Sequence, residues 1–357
     1  MSADISKIIS DYSLLVEKSD RLARADIKPT LLGLLGELGS VLTASKKIAR
    51  EKSAYRSFRT DAVEELGDTL WYVVALAHRL GVTAEEILCA PTMSASGDLH
   101  GGKDKNTSLL LLMSSASKLT VANPSQKLIS DLKEFSAQLL ETMNLLEMSL
   151  EEVISINSKK VAGRFLPIDF SKLPNFDKDY DQDERLPDQF EFVIKQRKSG
   201  KTHISLNDVF IGDPLTDNIG QSDGYRFHDV FHMANAAVLH WSPVLRSLLK
   251  RKRKSDLEVD GSEDSGRAIV VEEGLSAWVF SRAKQHDMFE NTDTISFDIL
   301  KRISEFVDGY EVQHCPHALW ERAIILGFSA FRSLQAQKSG VIIGDRLSRT
   351  IYFRSLS

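Results

Sequence analysis

The sequence predicts two domains: an all-α first half, and an α+β second half of mostly helices with a small antiparallel sheet. Three observations carry this. Up to about residue 166, apolar residues recur at helical intervals. Residues 166–188 are rich in Pro, Asp and Lys and carry little periodicity. Beyond them, FEFVIKQ and THISLNDVFI read as strands around the turn Lys198-Ser199-Gly200-Lys201. The boundaries expected are a helical bundle over 1–166, a linker over 167–188 and an α+β domain over 189–357.

A chain of 357 residues with 42% hydrophobic content has room for two domains and material for two cores. The net charge of -5 argues against a protein that coats nucleic acid, which needs a basic surplus. Cys89 and Cys315 fall in different halves and suggest neither a disulfide framework nor a thiolate zinc site. The start MSADISKIIS reads as neither a signal nor a transit sequence, and no apolar run reaches membrane-spanning length. The expectation is a cytoplasmic globular protein.

In order, residues 4–19 predict an amphipathic helix through Ile5, Ile8, Ile9 and Leu14. Thr30 is the expected N-cap of a second helix running to about residue 50. A third starts near Asp61 and stops at Gly81, and Thr83 caps the short helix TAEEIL. Residues 91–107 read as a loop. Helices follow near 108–122, 125–146 and 150–163. In the second half, helices are expected near 224–241, 243–252, 267–285, 297–311 and 316–337, with a strand at TIYFR.

LGVTAEEIL at 80–88 matches LEMSLEEVI at 146–154 in pattern. The same register sets Glu65 and Asp68 against Asp131 and Glu134, and a looser echo answers Glu37 with Ser114. Residues 91–150 therefore read as an insertion or a degenerate repeat of a helix pair, unless amphipathic helices match here by chance.

Chemistry concentrates on the third helix. Asp61, Glu65, Asp68 and Tyr72 recur at steps of four, three and four, which places them on one face. Like charges so spaced repel unless solvent or a cation offsets them. Leu66, Leu70, Val73 and Val74 supply the buried side. Glu37 lies in a similarly apolar helix, and packing the two helices together would bring it to Glu65 and Asp68. Such a cluster suits a hard divalent cation, Mg²⁺ (or Mn²⁺), which shares its shell with phosphate oxygens. The bland alternative is an acidic, solvated helix face. Asn157, Lys160 and Arg164 share a downstream helical face that could hold phosphates, or could simply end a helix with favourable charge.

GELGSV, EELGDTLWYV and the Asn157–Lys160–Arg164 ending resemble the MazG-like nucleoside triphosphate pyrophosphohydrolases, of the all-α NTP pyrophosphatase group. The resemblance covers roughly residues 5–88 and 150–166. It implies a helical bundle that assembles as a dimer or higher homo-oligomer, binds Mg²⁺ and splits NTPs into NMP and pyrophosphate. The family's motif is ExxE, a spacer, then ExxD. Glu37 matches its first acid, Glu65 and Asp68 its last pair, and Asn157, Lys160 and Arg164 its phosphate side. Ser40 stands where the family has its second Glu; Asp61, Glu64, or the echo pair Asp131 and Glu134 are the expected compensations. Trp71 and Tyr72 lie beside the acids and could shape a base pocket or pack in the core.

The second half offers GYRFHDVFHMANAAVLHW, with His228 and His232 at i and i+4 around Asp229. Glu272 and Glu273 follow in VVEEGLSAW, so two histidines and a carboxylate could hold a second metal, or the histidines could pack at a helix seam. The doublet His228-Asp229 is also similar to the HD phosphohydrolases, with His203 and Asp308 as loose matches for their further residues. The run Lys250–Lys254 and the acids after it read as a solvated loop, and Arg226 and Arg267 as the better anion contacts. The leading expectation is an Mg²⁺-dependent pyrophosphohydrolase acting on NTP or dNTP. Its rivals are a nucleotide-sensing module weakened at Ser40 that controls the second domain, and a metal-dependent hydrolase centred on His228 and His232.

Overall fold

A computed structural model describes residues 3–89, 104–120 and 126–356, so most of the segment expected as a loop at 91–107 lies outside the described residues. The chain divides into two compact units, Met1–Leu166 and Pro167–Ser357.

Among the described residues the first unit is helical: α1 (Ala3–Ser19), α2 (Lys28–Glu51), α3 (Phe58–Leu80), α4 (Ala84–Leu88), α5 (Lys105–Leu119), α6 (Gln126–Leu145) and α7 (Leu150–Phe165). α1 buries Ile5, Ile9, Tyr12 and Val16, while Leu14 faces out. α2 starts earlier than expected: Pro29 occupies its first turn, where the missing N–H costs nothing, and Thr30 is buried inside the helix instead of capping it. α3 ends at Gly81, whose φ of 70° is the left-handed cap that glycine adopts without strain. Thr83 caps α4 by accepting from the Glu86 amide. α7 runs through Gly163 to Phe165.

The pattern shared by 80–88 and 146–154 extends to the backbone at these helix ends. Glu147, like Gly81, sits at positive φ, and the Met148 amide reaches the Met143 carbonyl as the Val82 amide reaches Ala77. Ser149 then caps α7 through Glu152 as Thr83 caps α4. The α2–α3 and α5–α6 pairs are the two most extensive helix contacts of this unit.

The second unit is built on a five-stranded antiparallel sheet of order β3-β2-β1-β4-β5. Its strands are β1 (Gln189–Gln196), β2 (Thr202–Leu206), β3 (Val209–Leu215), β4 (Ser339–Asp345) and β5 (Thr350–Arg354). THISLNDVFI is not one strand: Asn207 and Asp208 both take positive φ and turn it into a hairpin. β4 was not expected; its short apolar run Val341-Ile342-Ile343 is buried between β1 and β5. Around the sheet stand α8 (Asp229–Ala234), α9 (Pro243–Leu249), α10 (Leu257–Ser262), α11 (Gly266–Ala283), α12 (Phe297–Phe306) and α13 (His317–Gln337). The helix expected at 224–241 is broken into a 3-10 turn, α8 and a π turn over Asn235–Leu239.

Two expectations change here for one reason, the pairing of buried charges. Residues 167–188 are not a linker: Leu186 is in the core, and buried Asp177 bonds Arg246 and Arg346. Lys250–Lys254 is a loop with both end lysines exposed, but Arg253 within it is 1% exposed and bridges Asp264 and Glu311, and Asp256 after it caps α10. No helix among the described residues is long and apolar enough to cross a membrane.

Candidate functional site

In the first unit α3 packs on both α2 and α7. That brings Glu37 of α2 to Glu65 and Asp68 of α3, with one ligand oxygen of each within 4.8 Å of the others. The spacing of three puts Glu65 and Asp68 on one side of α3, while Leu66 and Leu70 fill the core. Close approach is allowed by Gly67, where an added Cβ would stand 2.9 Å from the Asn157 Cβ.

The cluster carries more negative charge than its surroundings balance. Burial, then the hydrogen bond to Glu37, pushes Glu65 up to about 8. Glu37 is raised too, first by burial and then by Asp68. Two carboxyls this close favour a proton held by the Glu37–Glu65 pair as a whole. Asp68 is raised by burial, against the pull of Lys160.

Asp68 is held from α7. Asn157 Nδ2 donates to it at 2.8 Å, and Asn157 Oδ1 accepts from the Tyr12 hydroxyl at 2.7 Å. Lys160 spans Asp68 and Glu64. Asn157 and Lys160, expected on the phosphate side, therefore face the acids first. Arg164 lies over the Phe165 ring.

The expected compensations for Ser40 are not in the ligand group. Asp61 accepts from Tyr55 and Ser57, and Glu64 is committed to Lys160. Glu134 pairs with Lys118, and Asp131 keeps one buried oxygen without a hydrogen bond. Ser40 itself bonds back to the Gly36 carbonyl on α2. Trp71 donates to Ser19, and the Tyr72 ring lies where a side chain at Gly33 would be. Tyr12 escaped sequence reasoning; its apolar helical position hid a hydroxyl aimed at Asn157.

The second unit gathers His228, Asp229 and His232, again with ligand atoms within 4.8 Å. Glu273 Oε2 is 3.5 Å from His232 Nε2 and 3.7 Å from His228 Nε2. Glu272 Oε1 is 3.0 Å from His232 Nδ1. Burial works against a charge on His232, but Glu272 and then Glu273 hold its pKa up to about 10. Burial raises Asp229. His203 lies on β2 against Phe210 and Asp308 is exposed beyond α12, so neither completes an HD-type set. Arg226 is bound to Asp217 and the Gly200 carbonyl, and Arg267 is exposed on α11.

Residues 171–357 match the family described as MazG C-terminal domain. A relative, the "Gene 37 protein" of Mycobacterium phage L5, is 35% identical over 85 residues, which is 23% of this chain and 75% of the phage protein. No solved structure matches the chain. With a family match over more than half of its length, this chain belongs to the MazG-like proteins that carry the MazG C-terminal domain.

Proposed function

We propose that the first unit is an Mg²⁺-dependent nucleotide pyrophosphohydrolase, releasing pyrophosphate from an NTP or dNTP and leaving the NMP. The observation that supports this most is the meeting of Glu37, Glu65 and Asp68 from two helices. The donor set fits a hard cation: oxygen ligands alone, and a carboxyl pair that holds a proton where a cation would relieve the same repulsion. Mn²⁺ satisfies the same donors. When bound, the ion supplies polarisation of phosphate oxygens and a more acidic water.

The side chains divide the remaining work. Glu37 and Glu65 would hold the ion as carboxylates, so the proton of the pair would leave on metal binding. Asn157 and Lys160 fix the carboxylate of Asp68. Lys160 also puts a positive charge beside the acids, where phosphate oxygens would approach, and Arg164 extends the positive side along α7. Tyr72 bounds the site against α2.

The test is pyrophosphate release from a panel of NTPs and dNTPs with Mg²⁺. Wild type should turn over at least one, and Glu65→Gln and Asp68→Asn should each lose about 100-fold or more. Absence of turnover across the panel refutes the enzymatic reading. A second reading, nucleotide sensing without turnover, has one observation in its favour: Ser40 bonds within its own helix and leaves the group with three carboxylates. Thermal stabilisation by nucleotides without pyrophosphate release would select it.

A further inference from the structure

Five titratable side chains gather in the second unit, and the function proposed for the first does not use them. We propose that His228, His232, Asp229 and Glu273 form a binding site for a divalent first-row transition-metal ion, with Glu272 supporting it from behind.

The geometry is that of an open cage: ligand atoms of His228, Asp229 and His232 lie within 4.8 Å of one another, and Glu273 Oε2 faces both histidines. Three contacts define it: His232 Nε2 to Glu273 Oε2 at 3.5 Å, His228 Nε2 to the same oxygen at 3.7 Å, and His228 Nε2 to Asp229 Oδ1 at 3.7 Å. Ligand atoms bound at roughly 2.0–2.2 Å in a tetrahedron stand about 3.3–3.6 Å apart. The three separations lie within a few tenths of an ångström of that spacing.

Each imidazole is oriented for this. His228 Nδ1 lies 2.9 Å from the Tyr225 carbonyl, so Nδ1 carries the proton and Nε2 presents its lone pair to the cluster. The Tyr225 ring stacks on His228 at 4.4 Å and an interplanar angle of 5°, which holds its plane. His232 is 0% exposed, yet neither of its ring nitrogens makes a directed hydrogen bond. A buried polar atom without a directed partner is costly, and a metal at Nε2 would satisfy it.

Glu272 explains why the arrangement is rigid. It is fully buried, and Asn235 Nδ2, Ser242 Oγ and the Val244 amide occupy its oxygens. It cannot swing into the cluster, and its Oε1 stays 3.0 Å from His232 Nδ1, on the side of the ring away from Glu273. Asn235 opens the π turn after α8, a local rearrangement common at functional sites.

Two imidazoles with two carboxylates and no thiolate favour Zn²⁺, Fe²⁺ or Mn²⁺ over Mg²⁺. The Glu273 side chain is 43% exposed, so the cage opens to solvent on one side and leaves access for a water or a small anionic ligand.

The rival arrangement is an imidazolium at His232 clasped by Glu272 and Glu273, with no metal. The experiment separates the two on the full chain. Metal content is measured on protein purified without chelator; chelator-stripped protein is then titrated with Co²⁺ and followed by its visible absorption. The expected result is about one equivalent of bound transition metal per chain and a Co²⁺ spectrum. Both should persist in Glu65→Gln and be lost in His228→Ala and Glu273→Gln, with circular dichroism verifying that these variants fold. Glu273→Gln keeps the side-chain volume at a partly exposed position, so it guards against simple unfolding. Glu272→Gln should weaken Co²⁺ about 10–100-fold. Folded wild type that neither retains metal nor binds Co²⁺, or His228→Ala and Glu273→Gln that bind it as tightly as wild type, would overturn the proposal. Because Glu65→Gln addresses only the first unit, failure here leaves the pyrophosphohydrolase reading standing, and the reverse.

Discussion

Asn157 links three helices through one amide. It takes a hydrogen bond from Tyr12 on α1 and gives one to Asp68 on α3, so the carboxylate is aimed by a residue 89 positions away. Replacing it with leucine keeps its branched outline and removes both bonds. Asn157→Leu should lower pyrophosphate release about 10–100-fold, and Tyr12→Phe less, since only Asn157 touches the acid. A titration with Mg²⁺ would assign the loss to metal affinity. The carboxyl pair makes a separate prediction. Glu65 rises from its ordinary 4.5 to about 8 in the fold, so the folded state holds a proton that the unfolded chain releases. Stability of the metal-free protein should fall as pH rises through that window, and Mg²⁺ should restore it at the upper end. Thermal melts at about pH 6 and about pH 8.5, each with and without Mg²⁺, measure this.

The echo between α4 and α7 gives a test at the level of elements. Gly81 and Glu147 hold equivalent left-handed positions, but only glycine does so without a Cβ penalty. Glu147→Gly should therefore stabilise the protein by about 0.5–1 kcal/mol, read as a shift in urea midpoint. Gly67 predicts the opposite sign. A methyl there would meet the Asn157 Cβ at 2.9 Å and must push α7 from α3. Gly67→Ala should cost about 1–3 kcal/mol and lower activity together with stability. Helices of this kind were readable in advance, because their periodicity, caps and glycine stops are local. The lone strand β4 was not: three consecutive apolar residues carry no period, and their strand geometry comes from pairing with β1 and β5.

At the level of the whole molecule, buried ionic networks decide where the second unit begins. Asp177 lies between Arg246 and Arg346 from distant parts of the chain, all three nearly inaccessible to water. Asp177→Ala would leave two buried guanidiniums short of a counter-charge and should cost about 3–5 kcal/mol, seen as a lowered denaturation midpoint. Polar composition at 166–188 suggested solvent, since composition reports charge but not the partner that removes it from water.

The sequence by itself determined the helical character of the first half, the acidic face of α3, the histidine pair at i and i+4, and the family likeness. Each depends on neighbours within a turn or two. Only the tertiary structure decided that Glu37 meets Glu65 and Asp68, that Asn157 and Lys160 turn toward the acids, and that Glu273 faces both histidines while Glu272 stands behind one. Those facts depend on which helix faces pack together. That choice is made by burial summed over the whole core, which no local spacing encodes.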